Sequence, residues 1–172
     1  MLRPFEAGDA LEVQRLAGDR DVASTTLNIP HPYQDGMAES WIYGLPDAFV
    51  RGESATFAME DATTSALIGS IGLRFTALHA RGEVGYWIGR PYWGQGYCTE
   101  ALRLVLTYGF EVCGLVRVYA HHLTRNPASG RVMQKVGMTH EGTLRKHFHK
   151  WGVFEDVELY GQLREEWDSK TG

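Results

Sequence analysis

The sequence of 172 residues predicts a mixed α/β protein in which a β-sheet is flanked by helices. Short stretches rich in β-branched and aromatic residues alternate along the chain with longer segments whose apolar residues recur at helical spacing. Glycine or proline separates many of these segments. No internal repeat or low-complexity tract interrupts the alternation, so we expect a single domain over residues 1–172.

Composition narrows the class of protein further. Hydrophobic residues make up 44% of the chain and charged residues 22%, which is typical of a soluble globular protein. A formal net charge of −4 argues against nucleic acid as the main partner. No stretch approaches the roughly 20 apolar residues of a membrane helix, and MLRPFEAGDA lacks the apolar region of a secretory signal. With Cys98 and Cys113 as free thiols, we expect a cytoplasmic protein without a membrane partner.

Seven segments are predicted to be strands. In EVGYWI, Val84, Tyr86 and Ile88 alternate with the other side chains, which indicates a strand with two different faces. The segment LVRVYAHH is typical of a strand because it is rich in β-branched residues. The predicted strands cover residues 2–5, 55–60, 66–75, 83–88, 115–122, 138–145 and 156–163.

Four segments are predicted to be helices. Asp9 is suited to cap the first, and Asn126 with Pro127 is suited to begin the last. Gly44 and Pro46 are expected to interrupt the second helix. NIPHPYQ, with two prolines, is predicted to be a loop. The helices are expected from residue 9 and over residues 35–50, 99–112 and 126–136.

A glycine-rich segment, GRPYWGQGYCTEAL, lies between a predicted strand and a predicted helix. Gly94 and Gly96 leave the N–H groups of the helix start open to a ligand, which suits an anion such as phosphate. In a nucleotide P-loop, Gln95 would have to be lysine and Gly96 serine or threonine. A dinucleotide fingerprint would need glycine at Thr99. A tight turn without a ligand and a different nucleotide-binding loop stay open as alternatives.

The segments EVGYWIGRPYWGQGYCTEAL, NPASGRVMQKVGM and EGTLR together resemble the GNAT N-acetyltransferase superfamily. LRPFEAGDALEVQRL and DVELYGQLREEW are similar to its RimJ/RimL-like branch, which acetylates N-terminal amines of ribosomal proteins. The resemblance implies a central, mostly antiparallel sheet of about seven strands with a splayed central pair and about four helices. It also implies an acetyl-CoA-dependent enzyme without a metal that acetylates a primary amine by direct attack.

The resemblance assigns acetyl-CoA to the edge of one strand and to the glycine-rich segment. The strand over residues 83–88 is implied to pair with the pantetheine arm, and the loop N–H groups are implied to hold the pyrophosphate. Asn126 matches an asparagine of the family that contacts pantetheine. The residues implied to bind the cofactor are Tyr86, Trp87, Ile88, Trp93, Gly94, Gln95, Gly96, Tyr97, Cys98, Thr99, Asn126, Ser129 and Met133.

Two positions depart from the family pattern. Pro91 stands where the loop signature usually has Gln or Arg, and Arg90 is the neighbour that can supply the charge. Met133 stands where many relatives have a tyrosine that protonates the departing thiolate, and methionine cannot donate a proton. Ser129 matches a serine with this role in the RimJ/RimL-like branch. The departure at Met133 leaves a non-catalytic acyl-CoA-binding sensor or scaffold as the alternative function.

The implied reaction needs a base, because a protonated amine has no lone pair for attack. Glu83 begins its strand where many relatives place a base carboxylate, although a solvent-facing charge is the alternative. His121 and His122 end the neighbouring strand, and imidazole suits proton transfer near neutral pH. Either histidine is therefore a further candidate base, with His122 as the one selected and a structural role as the alternative. A main-chain N–H of Trp87 or Ile88 is implied to stabilise the oxyanion.

The acceptor pocket is expected beside the loop NIPHPYQDGMAESW. His31, Tyr33 and Trp41 are candidate wall residues, and packing under the sheet is the alternative for the two aromatic ones. His147 is a further candidate on a predicted strand that is otherwise polar and exposed. His147 and His149 lack a third ligand at a recognised spacing, so we expect no metal. The expected partners are acetyl-CoA, an amine of a peptide N-terminus or small molecule, and a second copy of the chain.

Overall fold

The computed structural model describes residues 1–171 and forms the mixed α/β architecture that the sequence predicts. Each predicted strand is present, and the longest ones extend beyond the predicted bounds by several residues. The strands are β1 (Leu2–Arg3), β2 (Ser54–Glu60), β3 (Leu67–Thr76), β4 (Arg81–Ile88), β5 (Arg117–Leu123), β6 (Thr139–Lys150) and β7 (Val153–Leu163). Within the described chain they make one seven-stranded sheet in the order β1-β2-β3-β4-β5-β7-β6.

The helices include the four predicted ones and two that the sequence did not indicate. They are α1 (Ala10–Ala17), α2 (Arg20–Thr25), α3 (Met37–Val50), α4 (Tyr97–Thr107), α5 (Pro127–Lys135) and α6 (Arg164–Thr171). A π-helical turn, Tyr108–Val112, continues α4. In the part of the chain described, no helix has both the length and the apolar character needed to cross a membrane.

The predicted interruption of α3 by Gly44 and Pro46 is wrong, because the helix runs through both residues. Pro46 lies on an exposed part of the helix. Ala38 and Ile42 are buried on the opposite side, where they pack with α1. This packing holds α3 together although proline removes one main-chain hydrogen bond.

The splayed central pair is formed by β4 and β5, which are the one parallel pair among the described strands. Residues 81–84 of β4 pair with residues 117–120 of β5, and the pairing of the two strands ends there. On its other side, β4 stays paired with β3 as far as Ile88. Residues 85–88 therefore leave one backbone edge free of β5, as the resemblance implies.

The core fills both faces of this sheet. On one face, Leu102, Leu106 and Phe110 pack against Ile71 and Leu73 with almost no exposure. Burial of a side chain of this size contributes roughly 1.5–3 kcal/mol. The other face carries α1 and α3, so the open end of the β4–β5 pair lies between two packed layers.

Candidate active site

The divergence of β4 and β5 opens a cavity of about 600 Å³, which we call the central cleft. The end of β4, the glycine-rich loop and the start of α4 line one part of it. The end of β5, the start of α5 and the α2–α3 loop (residues 26–36) line the rest. Members of its lining are Thr25, Asn28, Trp41, Tyr86, Trp87, Ile88, Trp93, Gly94, Gly96, Tyr97, Cys98, Thr99, Asn126 and Ser129.

The glycine-rich loop is shaped to receive an anion. Gly94 and Gly96 have φ values of +76° and +90°, in the left-handed region that favours glycine. A Cβ atom added to either residue would meet nothing within 4 Å, so the space beside the loop is open. Gly96 also caps α4 without a side-chain hydrogen bond. The Thr99 and Glu100 N–H groups donate to the Gly96 oxygen at 2.9 and 3.1 Å. A phosphate would therefore bind the N–H groups that precede them at the helix start, which suits a coenzyme with a pyrophosphate.

Two cations on α5 add positive charge to the same cleft. Arg131 and Lys135 lie one helical turn apart, and both line the cavity. The sequence interpretation missed them, although their i,i+4 spacing after Asn126 was a usable signal. Arg90, which was expected to supply charge, instead forms an ion pair with Asp21 at 2.9 Å.

At the free edge of β4, the main-chain N–H groups of Tyr86 and Ile88 point away from β3. The Gly89 N–H donates to the Ile68 oxygen at 2.9 Å, so the adjacent polar groups of Ile88 point away from β3. The indole N–H of Trp93 donates to the Ile88 oxygen at 2.8 Å. The N–H and C=O groups of one strand residue point to the same edge of the strand. The Ile88 N–H therefore faces the gap between β4 and β5, whereas the Trp87 N–H faces β3.

A buried hydroxyl pair joins β4 to α5 across the gap. The Tyr86 Oη and Ser129 Oγ atoms lie 2.8 Å apart, and Tyr86 Oη is also 3.2 Å from the Ser129 carbonyl oxygen. Burial raises the pKa of the Tyr86 phenol far above its ordinary value. The phenol is therefore protonated at neutral pH and can donate to Ser129. The sequence interpretation gave Tyr86 only a backbone role.

Three side chains hold the segment over residues 24–29 against the cleft. They come from the end of β5, the start of α5 and the end of β6, and each donates to main-chain oxygens. Burial lowers the pKa of the Lys150 ammonium, one of these donors. The bonds are Arg125 Nη2 to Ser24 O at 2.7 Å, Asn126 Nδ2 to Thr25 O at 3.3 Å, and Lys150 Nζ to Leu27 O at 3.4 Å and Ile29 O at 3.3 Å.

Glu83 and His121 lie side by side at the end of the central cleft. Glu83 Oε1 lies 3.4 Å from His121 Nδ1, and Glu83 Oε2 lies 3.4 Å from the Tyr119 hydroxyl. Burial lowers the pKa of His121 below its ordinary 6.5, while the Glu83 carboxylate opposes that shift. The imidazole is therefore neutral at pH 7 and has a lone pair available for a proton.

A second cavity of about 400 Å³, the side cavity, meets the central cleft at this pair. Both cavities are lined by Glu83, His121 and Arg74, and by Leu27 and Asn28 of the α2–α3 loop. The predicted acceptor residue His147 lines the side cavity but not the central cleft. Among residues 1–171, no group of three or more His, Cys, Asp or Glu side chains is placed to hold a metal ion.

His122, the histidine next to His121, also lines the central cleft, but its side chain is largely buried. His122 is 6% exposed, and its Nδ1 atom lies 2.8 Å from the Leu123 oxygen. Its Nε2 atom is buried beneath Gly130, where an added Cβ would lie 2.6 Å away. Successive strand side chains point to opposite faces, so His121 is the one that meets Glu83.

Like His147 and Gln95, the predicted site residues Met133, Tyr33 and His31 lie outside the lining of the central cleft. Met133 is 1% exposed and belongs to the core, because its helix turns it toward the sheet. Tyr33 packs with α1 and α3, and His31 lies at the surface beside Trp151, with ring centroids 5.8 Å apart. Trp41 lines the central cleft and also packs in the core.

Three side chains of the glycine-rich segment have their own surroundings. Gln95 turns its side chain back to the Pro91 oxygen at 3.0 Å, so only its main chain faces a ligand. Burial raises the pKa of the Cys98 thiol to about 12, which outweighs the lowering expected at a helix N-terminus. Tyr97 is anchored by its hydroxyl to Asp61 Oδ2 at 2.6 Å.

Comparison with known proteins identifies the family to which the chain belongs. Residues 1–139 match the family model of the acetyltransferase (GNAT) domain. The chain is 37% identical to the uncharacterized N-acetyltransferase YoaA of Bacillus subtilis, over 63% of this chain and 62% of that protein. It is 32% identical to the putative ribosomal N-acetyltransferase YdaF of the same organism, over 54% and 51%. It is 27% identical to the spermidine N(1)-acetyltransferase of Vibrio cholerae, over 91% and 88%.

Solved structures agree with the sequence comparison. A GNAT-family acetyltransferase from Bacillus anthracis superposes with a TM-score of 0.85, covering 96% of this chain and 95% of that chain at 27% identity. The similarity to YdaF supports the RimJ/RimL-like branch that the sequence resembles. The family match, the splayed strand pair and the open glycine loop lead to one conclusion: the chain belongs to the acetyltransferase (GNAT) family and is an amine N-acetyltransferase.

Proposed function

We propose that the chain transfers the acetyl group of acetyl-CoA directly to a primary amine of a peptide N-terminus or a small molecule. The observation that carries the proposal is the position of Glu83 and His121 where the central cleft meets the side cavity. A thioester in one cavity and an amine in the other would meet beside this pair.

The central cleft offers acetyl-CoA a complete set of contacts. The N–H groups from Gly94 to Cys98, at the α4 N-terminus, would hold the pyrophosphate. Arg131 and Lys135 would face its phosphate groups, and the free edge of β4 would pair with the pantetheine arm. When bound, acetyl-CoA supplies the thioester whose acetyl group is transferred.

The Glu83–His121 pair would accept the proton that the amine loses. The neutral imidazole keeps a lone pair, and the Glu83 carboxylate stabilises the imidazolium that forms. The amine nitrogen then bonds to the acetyl carbon while the carbon–sulfur bond breaks, giving an N-acetyl amine and the thiolate of CoA. The Ile88 N–H is a β4 donor available to the oxygen on which negative charge develops.

Ser129 would return a proton to the thiolate. Tyr86 stays protonated and can donate to Ser129 Oγ, which leaves the serine hydroxyl proton free for sulfur. Tyr86 and Ser129 would together take the role of the tyrosine that many relatives have at the position of Met133. A complete route for the proton favours the enzyme over a non-catalytic acyl-CoA-binding module.

An acceptor screen with acetyl-CoA tests the proposal. Purified protein is incubated with primary amines and with peptides that differ in their N-terminal residue, and free CoA thiol is measured. We expect at least one acceptor to release thiol and to form an equal amount of N-acetyl product by mass spectrometry. Tight acetyl-CoA binding in calorimetry without release for any amine would overturn the proposal and favour the non-catalytic module.

A further inference from the structure

The side cavity has an unusual balance of charge for a site that receives an amine. Arg74, Arg81 and Arg117 line it, and Glu83 is the one carboxylate in its lining within residues 1–171. A basic amine site would be expected to carry an excess of carboxylates, because like charges repel across a small cavity. The observed lining has the opposite balance.

Two of the three guanidinium groups lie beside one ring. Arg81 and Arg117 approach the Tyr119 ring to 5.6 and 5.7 Å from its centroid. Arg117 is also bound to Glu141 through both of its terminal nitrogens, which offsets its charge. Arg81 forms a cation–π contact, but no carboxylate in the described chain pairs with it.

Arg74 is the second guanidinium of the side cavity for which the described chain provides no ion pair. The register of β3 and β4 places Arg74 opposite Glu83, on the same face of the sheet. Arg81 lies two residues before Glu83 on that face, at a spacing of about 6.6 Å along the strand. The two arginines are therefore neighbours of Glu83 on this face of the sheet.

The basic neighbours of His121 shift its pKa in one direction. Arg74 and His147 both act to lower the pKa of His121, because each disfavours a further positive charge. The side cavity is thus a positive environment with one anionic edge at Glu83. A second ammonium group in it would be repelled, whereas a carboxylate would gain charge-assisted hydrogen bonds.

We propose that the acceptor is an amine that also carries a carboxylate, with the carboxylate on Arg74 and Arg81 and the amine at Glu83 and His121. This inference rests on the proposed function and adds a substrate class to it. It separates the chain from its relative named for spermidine, whose named substrate is a polyamine. The anionic amine can be a free amino acid or a peptide N-terminus followed by an acidic residue.

A matched set of acceptors tests the charge preference. The compounds 5-aminovalerate, pentylamine and 1,5-diaminopentane share a primary amine at one end of a five-carbon chain and differ at the other end. We expect kcat/KM for 5-aminovalerate to exceed that for pentylamine about tenfold and that for the diamine by more, at low salt. Peptides beginning Ala-Glu, Ala-Gln and Ala-Lys form the second arm and decide whether the carboxylate comes from a peptide.

Variants connect the preference to the two arginines. Arg74→Gln and Arg81→Gln should each reduce the preference for 5-aminovalerate over pentylamine to about threefold or less, and Arg74→Glu should favour the diamine. Arg145→Gln is the matched control, because Arg145 is an exposed arginine on β6 outside the cavity lining. Acetyl-CoA affinity by calorimetry verifies that each variant is folded.

The outcomes separate this inference from the proposed function. A kcat/KM for pentylamine or the diamine that equals or exceeds that for 5-aminovalerate would overturn the inference. The acetyltransferase proposal would still stand in that case. An unchanged preference in both Arg74→Gln and Arg81→Gln would also overturn the inference, because the arginines would then not hold the carboxylate. Absence of acetylation across both arms and the wider amine screen would overturn the proposed function and this inference with it.

Discussion

The central cleft and the side cavity meet at Glu83 and His121 but recognise their ligands by different means. The central cleft relies mainly on backbone groups, at the free edge of β4 and the start of α4. The side cavity relies on long charged side chains from β3, β4 and β5. Backbone recognition suits a cosubstrate that stays the same across a family, whereas side chains can change with the acceptor.

The largest expected effect concerns the glycine-rich loop of the central cleft. Gly96→Val should weaken acetyl-CoA binding about 100-fold in calorimetry, since φ at this residue is +90° and a branched side chain would fill the open space beside the loop. Gly114→Val is the matched control, because Gly114 has φ of +66° and open space but lies outside the cleft lining. Equal loss of affinity in both variants would contradict the placement of the cofactor.

The next effect concerns the pair at which the two cavities meet. Glu83→Gln should lower kcat about 30-fold and leave acetyl-CoA affinity unchanged, because the variant loses the carboxylate that stabilises the imidazolium. Glu83 raises the pKa of His121 while burial lowers it, so the variant should lower that pKa further. The acid limb of the kcat/KM profile should move to lower pH.

The pH profile also identifies the histidine. Activity should be present when His121 is neutral and fall as pH drops below its depressed pKa. His121→Asn should remove this limb, whereas Glu53→Gln, an exposed carboxylate paired with Arg51, should leave the profile unchanged. An unaltered acid limb in both Glu83→Gln and His121→Asn would exclude the pair as the base.

A smaller effect is expected where β4 meets α5. Ser129→Ala should lower kcat about 10-fold with little change in acetyl-CoA affinity, because only the departing thiolate needs its proton. Tyr86→Phe should have a weaker effect, and the double variant should resemble Ser129→Ala if the two hydroxyls act in series. Wild-type kcat in Ser129→Ala would remove Ser129 from the mechanism.

The smallest effect is expected at Cys98, which lines the cleft without a role in the chemistry. Cys98→Ala should keep kcat within about twofold, since burial raises the pKa of this thiol to about 12 and keeps it protonated. Alkylation followed by mass spectrometry should show that Cys98 reacts much more slowly at pH 7.5 than a free cysteine does. Rapid alkylation together with loss of activity would contradict its assignment as a passive wall residue.

The backbone site could be predicted from sequence because its signals are local. Two glycines, the start of a helix and the asparagine and proline that begin α5 lie within short segments, and each has a direct structural meaning. The predicted order of strands and helices followed from similar local patterns. The short α2 was missed because its six residues, Arg20–Thr25, show no apolar periodicity long enough to indicate a helix.

The side-chain site depended on contacts that the sequence does not display. Tyr86 and Ser129 are 43 residues apart, and only the splay of β4 from β5 brings their hydroxyls together. The choice between His121 and His122 required the face of β5 that meets Glu83. Arg74 could be assigned to the site only once the β3–β4 register placed it opposite Glu83.

Initial rates with both substrates varied test the central claim that the amine and the thioester meet in adjoining cavities. The best acceptor of the screen is titrated at several fixed acetyl-CoA concentrations, and reciprocal plots are compared. Direct transfer requires both ligands at once, so the account predicts intersecting lines and no acetylated protein by mass spectrometry. Parallel lines together with an acetylated enzyme would show a two-step route and contradict the account.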